Sequence, residues 1–255
     1  MPAVDSAVLD HLWRSQMAGR TDPAEFPDLD VDAGQALQVA LLERYRADGR
    51  AIGGWKVGLT SGVGRDSFGK GVRPFGFVLT DRIFGSNAVL SLKAIGSCGV
   101  ENELCFTLAE RLGSGATPAS ARNAVATVAP AFEINQLRLR GRASPGLAVG
   151  DNLSQWGIVV GEERPVPDDF DFDALTIVLS RDGTSVETTQ ARDHIDDHFK
   201  SLATLANTLA RFGLSLERGH RVITGSYTRQ SVPAPSRWTG AFGSPLGDVH
   251  VSIAS

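Results

Sequence analysis

Val100-Glu101-Asn102-Glu103-Leu104, running straight on into Cys105-Phe106-Thr107-Leu108, is the stretch on which the fold turns. Leu104, Phe106 and Leu108 alternate with smaller or polar residues, and a period of two predicts a half-buried strand. Glu101 and Glu103 then share a face, with side chains roughly 6.5 Å apart. Two carboxylates placed this way repel unless positive charge lies between them. A divalent cation meets that need, because Mg²⁺ and Mn²⁺ take hard oxygen ligands and keep positions open for water or substrate. Such a site calls for one further carboxylate from elsewhere in the chain. The alternative places both glutamates on the wet side of an edge strand.

Outward from that stretch, the composition is that of an ordinary folded protein: 255 residues, 42% hydrophobic and 21% charged, enough for one large domain or a domain with an appendage. A formal net charge of −4 excludes the overall basic field that would draw in nucleic acid or anionic lipid. Met1 to Gln16 lacks a basic start followed by an apolar run, and no later stretch approaches ~20 apolar residues, so a cytoplasmic location is expected. Cys98 and Cys105 lie on one extended segment, too far apart along it for a bridge, which fits two inert thiols in a reducing compartment.

Two helices open the chain. Val8, Leu9, Leu12, Trp13 and Met17 recur at helical spacing, and a second helix is expected from Ala33 to Ala47, with Asp32 as its cap and Gly49 as its stop. Ala51 to Ser61 then places Lys56 alone among glycines and apolar residues. A lysine so held has its charged form disfavoured, which suits proton transfer or carboxylate binding, unless its head reaches water at the surface. Arg73 to Asp81 reads as a turn into a strand ending in an acid, and by local pattern alone Asp81 is a turn residue. Thr117-Pro118 opens a helix expected to run through Val128 and to close at Pro130.

Directly afterwards Ala131-Phe132-Glu133-Ile134 carries one carboxylate among apolar neighbours. A lone buried glutamate is costly unless neutralised or liganded, which makes Glu133 the natural third ligand; pairing with Arg138 or Arg140 is the competing use. Arg138 to Arg142 reads as a solvated turn, and Asp151, Asn152 and Ser154 as a polar turn before a strand. Arg181-Asp182-Gly183-Thr184 signals a hairpin, and Phe199, Leu202, Leu205, Leu209 and Phe212 line a helix ended by Gly213. His194 and His198 lie among Asp193, Asp196 and Asp197 without zinc-site spacing and read as a capping, solubilising cluster. Arg221 to Ser226 reads as a strand running into a polar turn. Many strands and few helices, without regular alternation, predict an α+β fold.

Six fragments in this order resemble the 2-keto-4-pentenoate hydratase and 4-oxalocrotonate decarboxylase branch of the fumarylacetoacetate hydrolase superfamily. They are Gly54-Trp55-Lys56-Val57-Gly58-Leu59-Thr60, Phe75-Gly76 to Asp81, Val100 to Leu104, Pro130 to Ile134, Asp151 to Ser154, and Ile223-Thr224-Gly225. The resemblance implies a mixed β-roll over residues 71–255 after a small helical segment over 1–70, and self-association into homo-oligomers. It implies that Glu101, Glu103 and Glu133 hold Mg²⁺ or Mn²⁺, that Lys56 and Asp81 move protons, and that Ser154, Thr224 and Gly225 contact substrate. The chain departs from the family pattern at Gly219-His220, Asp197-His198-Phe199 and Ser236-Arg237-Trp238, around the distal part of the pocket.

The expected activity is a metal-dependent lyase adding water to an unsaturated 2-oxo acid of the 2-hydroxypenta-2,4-dienoate type in aromatic-compound catabolism. The same enolate chemistry serves a 4-oxalocrotonate-type decarboxylase, for which Arg229 or Arg237 would bind a second carboxylate. An acylpyruvate hydrolase, and a catalytically silent homologue stabilising a partner pathway enzyme, are the further alternatives.

Overall fold

Cys98–Leu108 is buried along almost its whole length, on both faces, and that makes it an interior strand and not an edge. The computed structural model describes residues 4–167 and 169–255. In chain order the first half comprises α1 (Ser6–Ala18), α2 (Val31–Ala47), β1 (Ile52–Val57), β2 (Phe75–Leu79), β3 (Ile83–Gly85), β4 (Ala88–Ser91), α3 (Leu92–Ile95), β5 (Cys98–Leu108), α4 (Pro118–Ala124) and β6 (Val125–Gln136). The second half adds α5 (Pro145–Gly150), β7 (Gln155–Val160), β8 (Arg164–Pro165), β9 (Thr176–Arg181), β10 (Thr184–Gln190), α6 (His198–Ala210), β11 (Arg221–Val232), β12 (Ser236–Ala241) and β13 (Asp248–Ala254).

The strands form two sheets, one ordered β2-β1-β11-β5-β6-β7-β3 with β8 on β6, the other β10-β9-β12-β13-β4. Both are mixed: β1 runs parallel to β11, β3 to β7 and β4 to β13, and the remaining pairs are antiparallel. The result is the α+β mixed roll expected. The larger sheet draws on both sides of residue 70, since β1 is hydrogen-bonded between β2 and β11.

The period of two divides β5 and β6 between two apolar clusters. Val100, Leu104, Phe106 and Leu108 join Val128, Phe132 and Ile134 in the main core. Cys105, Ala129 and Ala131 face the other way, into a small cluster with Val78, Ile158, Val160 and Ile223. Glu101, Glu103 and Glu133 share parity with this second set, so their strands aim them into the smaller interior. Burial pushes the Cys98 and Cys105 thiols up to about 12, consistent with inert cysteines.

Several local expectations are corrected. The cap of α2 is Asp30, whose carboxylate accepts from Ala33 N–H at 2.8 Å. α4 stops at Ala124, and Pro130 lies inside β6: Val125, Thr127 and Val128 are β-branched and favour the strand that follows. Arg138 is 1% exposed and not in a solvated turn; its guanidinium is spent on Asp151, 3.0 Å away, and not on Glu133. His198, 3% exposed, is no solubilising residue but bridges the hydroxyls of Thr224 (2.8 Å) and Tyr227 (2.9 Å) inside the core. β11 does not end in a turn at Ser226; it continues to Val232 through an irregularity between Ile223 and Thr228.

Candidate metal centre

Three adjacent strands assemble the centre by register. Arg229 of β11 lies opposite Glu101 of β5, and Glu101 lies opposite Glu133 of β6. Glu103, two residues along β5, adds the third carboxylate on the same face. All three are buried, at 3%, 2% and 1% exposure for Glu101, Glu103 and Glu133. One oxygen from each lies within 4.8 Å of the others. Ligands about 2.1 Å from an octahedral Mg²⁺ stand roughly 3 to 4 Å apart, so a small side-chain rotation gathers these oxygens around one ion.

Each carboxylate is held by a further contact. Gly225 N–H donates to Glu103 Oε2 at 2.6 Å, Asn135 Nδ2 donates to Glu101 Oε1 at 2.7 Å, and Arg229 Nε lies 2.7 Å from the same oxygen. Lys56 Nζ is ion-paired with Glu133 Oε1. Gly225 sits at φ +138, and a Cβ there would lie 2.0 Å from Thr60 Oγ1, so only glycine presents its N–H in this way. Burial, then the Glu133 charge, raise the Glu103 carboxyl well above the usual range; burial also raises Glu133, against the pull of Lys56. Carboxylates crowded in a dry site with too little positive charge fit a hard divalent cation by donor type, spacing and electrostatics.

Lys56 reaches the cluster from β1, where it pairs across to Gly76 of β2. A Cβ on Gly76 would lie 2.7 Å from Lys56 Cγ, so the glycine of Phe75-Gly76 clears the path for the lysine stem. The ammonium also reaches toward the Leu153 carbonyl at 3.4 Å. That carbonyl belongs to an unusual turn in which Asn152, Leu153 and Ser154 all have positive φ, at 59°, 51° and 61°. The cluster and Lys56 open into a cavity of about 450 Å³, walled also by Thr60, Ser61, Gly225 and Tyr227.

The other residues singled out from the sequence fall in different places. Gly225 lines the cavity, and Ser154 lines a smaller neighbouring recess of about 150 Å³ with Glu101, Asn135 and Arg229. Thr224 is fully buried behind the wall, its hydroxyl on His198. Asp81 is not brought to the cavity: it is exposed on the turn after β2, where both its oxygens accept from Arg50 at 2.8 Å. Asn135 was missed by sequence reasoning, though Glu133-x-Asn135 carries the same period-two signal as Glu101-x-Glu103. Of the two arginines named, Arg229 lines the cavity and Arg237 is exposed on β12, away from the lining.

No family model matches the chain. It is 30% identical over 203 residues to 2-keto-4-pentenoate hydratase of Paraburkholderia xenovorans (strain LB400), covering 79% of this chain and 76% of the relative. It is 27% identical over 250 residues to 2-oxo-hept-4-ene-1,7-dioate hydratase of Escherichia coli, covering 94% and 92%. In structure it resembles 4-oxalocrotonate decarboxylase from Pseudomonas putida G7 complexed with magnesium and adipate, with TM-score 0.87, 22% identity and 97% of each chain covered. A fumarylpyruvate hydrolase from Pseudomonas aeruginosa in complex with Mn²⁺ and pyruvate shares the fold more distantly, with TM-score 0.62, 16% identity and coverage of 80% and 89%. The roll is therefore that of the fumarylacetoacetate hydrolase superfamily. Within it, the chain belongs to the 2-keto-4-pentenoate hydratase family, a branch that includes 4-oxalocrotonate decarboxylases.

Proposed function

We propose that this protein is a metal-dependent hydratase that adds water to an unsaturated 2-oxo acid of the 2-hydroxypenta-2,4-dienoate type, in aromatic-compound catabolism. The observation that carries the reading is the convergence of Glu101, Glu103 and Glu133, buried and with one oxygen each within 4.8 Å, beside Lys56. Those three carboxylates would hold Mg²⁺ or Mn²⁺. Such an ion supplies Lewis-acid stabilisation of the negative charge that develops on the 2-oxygen when a 2-oxo acid enolises.

The chain's own groups do the rest. Gly225 N–H and Asn135 fix the orientation of Glu103 and Glu101, so the carboxylates are preorganised before substrate arrives. Lys56 Nζ, at the cavity wall, exchanges a proton with the conjugated chain of the substrate, protonating the enolate at its far end. The burial of the carboxylates restricts water at the reacting end, while the open side of the cavity admits the water that is added. Ser154 and Gly225 are the substrate contacts in this reading, with Thr224 acting from behind through the Gly225 backbone.

Decarboxylation of a 4-oxalocrotonate-type diacid is the second reading, favoured by Arg229, whose exposed guanidinium stands in the cavity wall. A cytoplasmic location and a homo-oligomeric state, with or without a pathway enzyme as partner, belong to the same proposal. Among the described residues no helix is long and apolar enough to cross a membrane, which leaves β-barrels unaddressed.

The test is incubation with 2-hydroxypenta-2,4-dienoate and with a 4-oxalocrotonate-type diacid, with and without chelator. Loss of the conjugated absorbance without CO₂ release is expected, and CO₂ release from the diacid would transfer the assignment to the second reading. Glu103→Gln is expected to abolish metal-dependent turnover while circular dichroism stays native. Full activity of chelator-stripped Glu103→Gln protein would remove the ligand assignment.

A further inference from the structure

The segment that carries the Leu153 carbonyl to Lys56 has its next polar side chains in a second, separate cavity. Asn152 and Gln155 line a space of about 180 Å³ that also contacts α1, α2 and β2 and whose wall includes Arg50, Arg82, Arg138 and Trp156. None of the three glutamates lines it. Two of its arginines are neutralised. Arg138 Nε lies 3.0 and 3.2 Å from the oxygens of Asp151, and Arg50 Nη2 lies 2.8 Å from both oxygens of Asp81.

Arg82 has no such partner: among the described residues it forms no ion pair with a carboxylate, and its guanidinium carbon stands 4.0 Å over the Trp156 ring. Trp156 is itself stacked on Phe84, at 5.8 Å and 13°, which fixes the platform under the cation. Burial and the Arg50 charge lower the Arg82 pKa, against the opposing pull of the Asp81 carboxylate.

Gln155 supplies an independent observation. Its side chain is 5% exposed and lines this cavity, yet neither Oε1 nor Nε2 has a hydrogen-bond partner. Arg50 Nε, on the same wall, is also buried and unpartnered. An unsatisfied buried polar group is costly, and such groups in a native fold point to something polar that completes them. Among the described residues, the wall thus carries a guanidinium with no carboxylate in contact and two idle donors.

We infer that this cavity is a binding site for a small oxyanion, a carboxylate or phosphate group, held by Arg82 with Gln155 Nε2 and Arg50 Nε as further donors. A planar guanidinium over an aromatic ring presents its edge donors to such an anion. The site does not depend on the reading of the glutamate cluster. It adjoins the left-handed turn at 152–154, whose opposite side contacts Lys56, so occupancy bears on a strained element shared by both cavities.

Titration calorimetry of the metal-loaded protein with sodium acetate and, separately, with inorganic phosphate at constant ionic strength tests this, with Trp fluorescence as a second signal. Saturable binding is expected in the native protein and is retained in Glu103→Gln, in which the glutamate cluster no longer offers a metal to the anions. It should weaken tenfold or more in Arg82→Gln and measurably in Gln155→Leu, a variant that keeps the core packed should the first fold poorly. Tighter acetate would assign a carboxylate ligand, and tighter phosphate a phosphate group. Absence of saturable binding by both anions, retention of full affinity in folded Arg82→Gln, or loss of binding in Glu103→Gln would overturn the inference.

Discussion

Lys56 and Asp81 both enter from the sequence as candidates for proton transfer, Asp81 through the family resemblance alone, and their surroundings separate them. Lys56 is 7% exposed and bound to Glu133, whereas the Asp81 carboxylate is 61% exposed and bound to Arg50. Lys56→Met is expected to lower kcat by about a hundredfold or more, the low end of what positioned acid-base groups contribute. Asp81→Asn should leave kcat/KM within about twofold, an exposed ion pair being worth little. Steady-state kinetics on the two variants, with metal affinity measured by calorimetry, separates these outcomes. His198 gives a pH dependence with a definite sign. Burial lowers its pKa from 6.5 to about 4, so the unfolded chain binds the extra proton between those values. Stability is therefore full above about pH 6.5 and falls as pH drops toward 4, by about 3 kcal/mol across the window. His198→Gln should flatten that slope in thermal denaturation measured from pH 7 to 4; an unchanged slope would assign the acid sensitivity elsewhere.

At the scale of elements, close backbone approach sets the tolerance to substitution. α2 and α5 meet through Gly34 and Gly146: a Cβ on Gly34 would lie 2.0 Å from Gly146 O, and one on Gly146 would lie 2.0 Å from Asp30 O. Such contacts are backbone against backbone, so the helices themselves must move apart. Gly34→Ala should cost about 2 kcal/mol or more and lower the melting temperature by several degrees, while metal affinity stays native because no site residue lies on α2. The elements also show what was legible in the chain. The strand at Leu104–Leu108, the 181–184 hairpin and α6 were readable because their patterns are local. The overlong reading of α4 failed because Pro118 and the Thr117 cap announce a helix start, but no comparable signal marked its end at Ala124. The turn expected after Thr224 failed because Gly225 serves an irregularity within β11, and a glycine alone does not say which.

For the molecule as a whole, ligand binding and folding are linked. A cation held only by the native arrangement stabilises it by RT ln(1 + [L]/Kd), about 2.7 kcal/mol at a hundredfold excess over Kd. Chelator-stripped protein should therefore melt several degrees lower than protein with Mg²⁺ or Mn²⁺, and Glu101→Gln or Glu133→Gln should remove most of that shift in differential scanning calorimetry. An equal metal-induced shift in those variants would place the stabilising ion elsewhere. The sequence by itself determined the α+β class, the strand parity that puts Glu101 and Glu103 on one face, and the candidacy of Glu133 as an isolated acid among apolar neighbours. Each rests on interactions over a few residues, where the period of the backbone settles which way a side chain points. Only the tertiary structure decided that Glu133 stands opposite Glu101, that Lys56 reaches it past Gly76, that Asp81 remains outside and that Arg229 stands over the cluster. Those facts depend on the register of strands distant along the chain, and register follows from packing the whole sheet against its core.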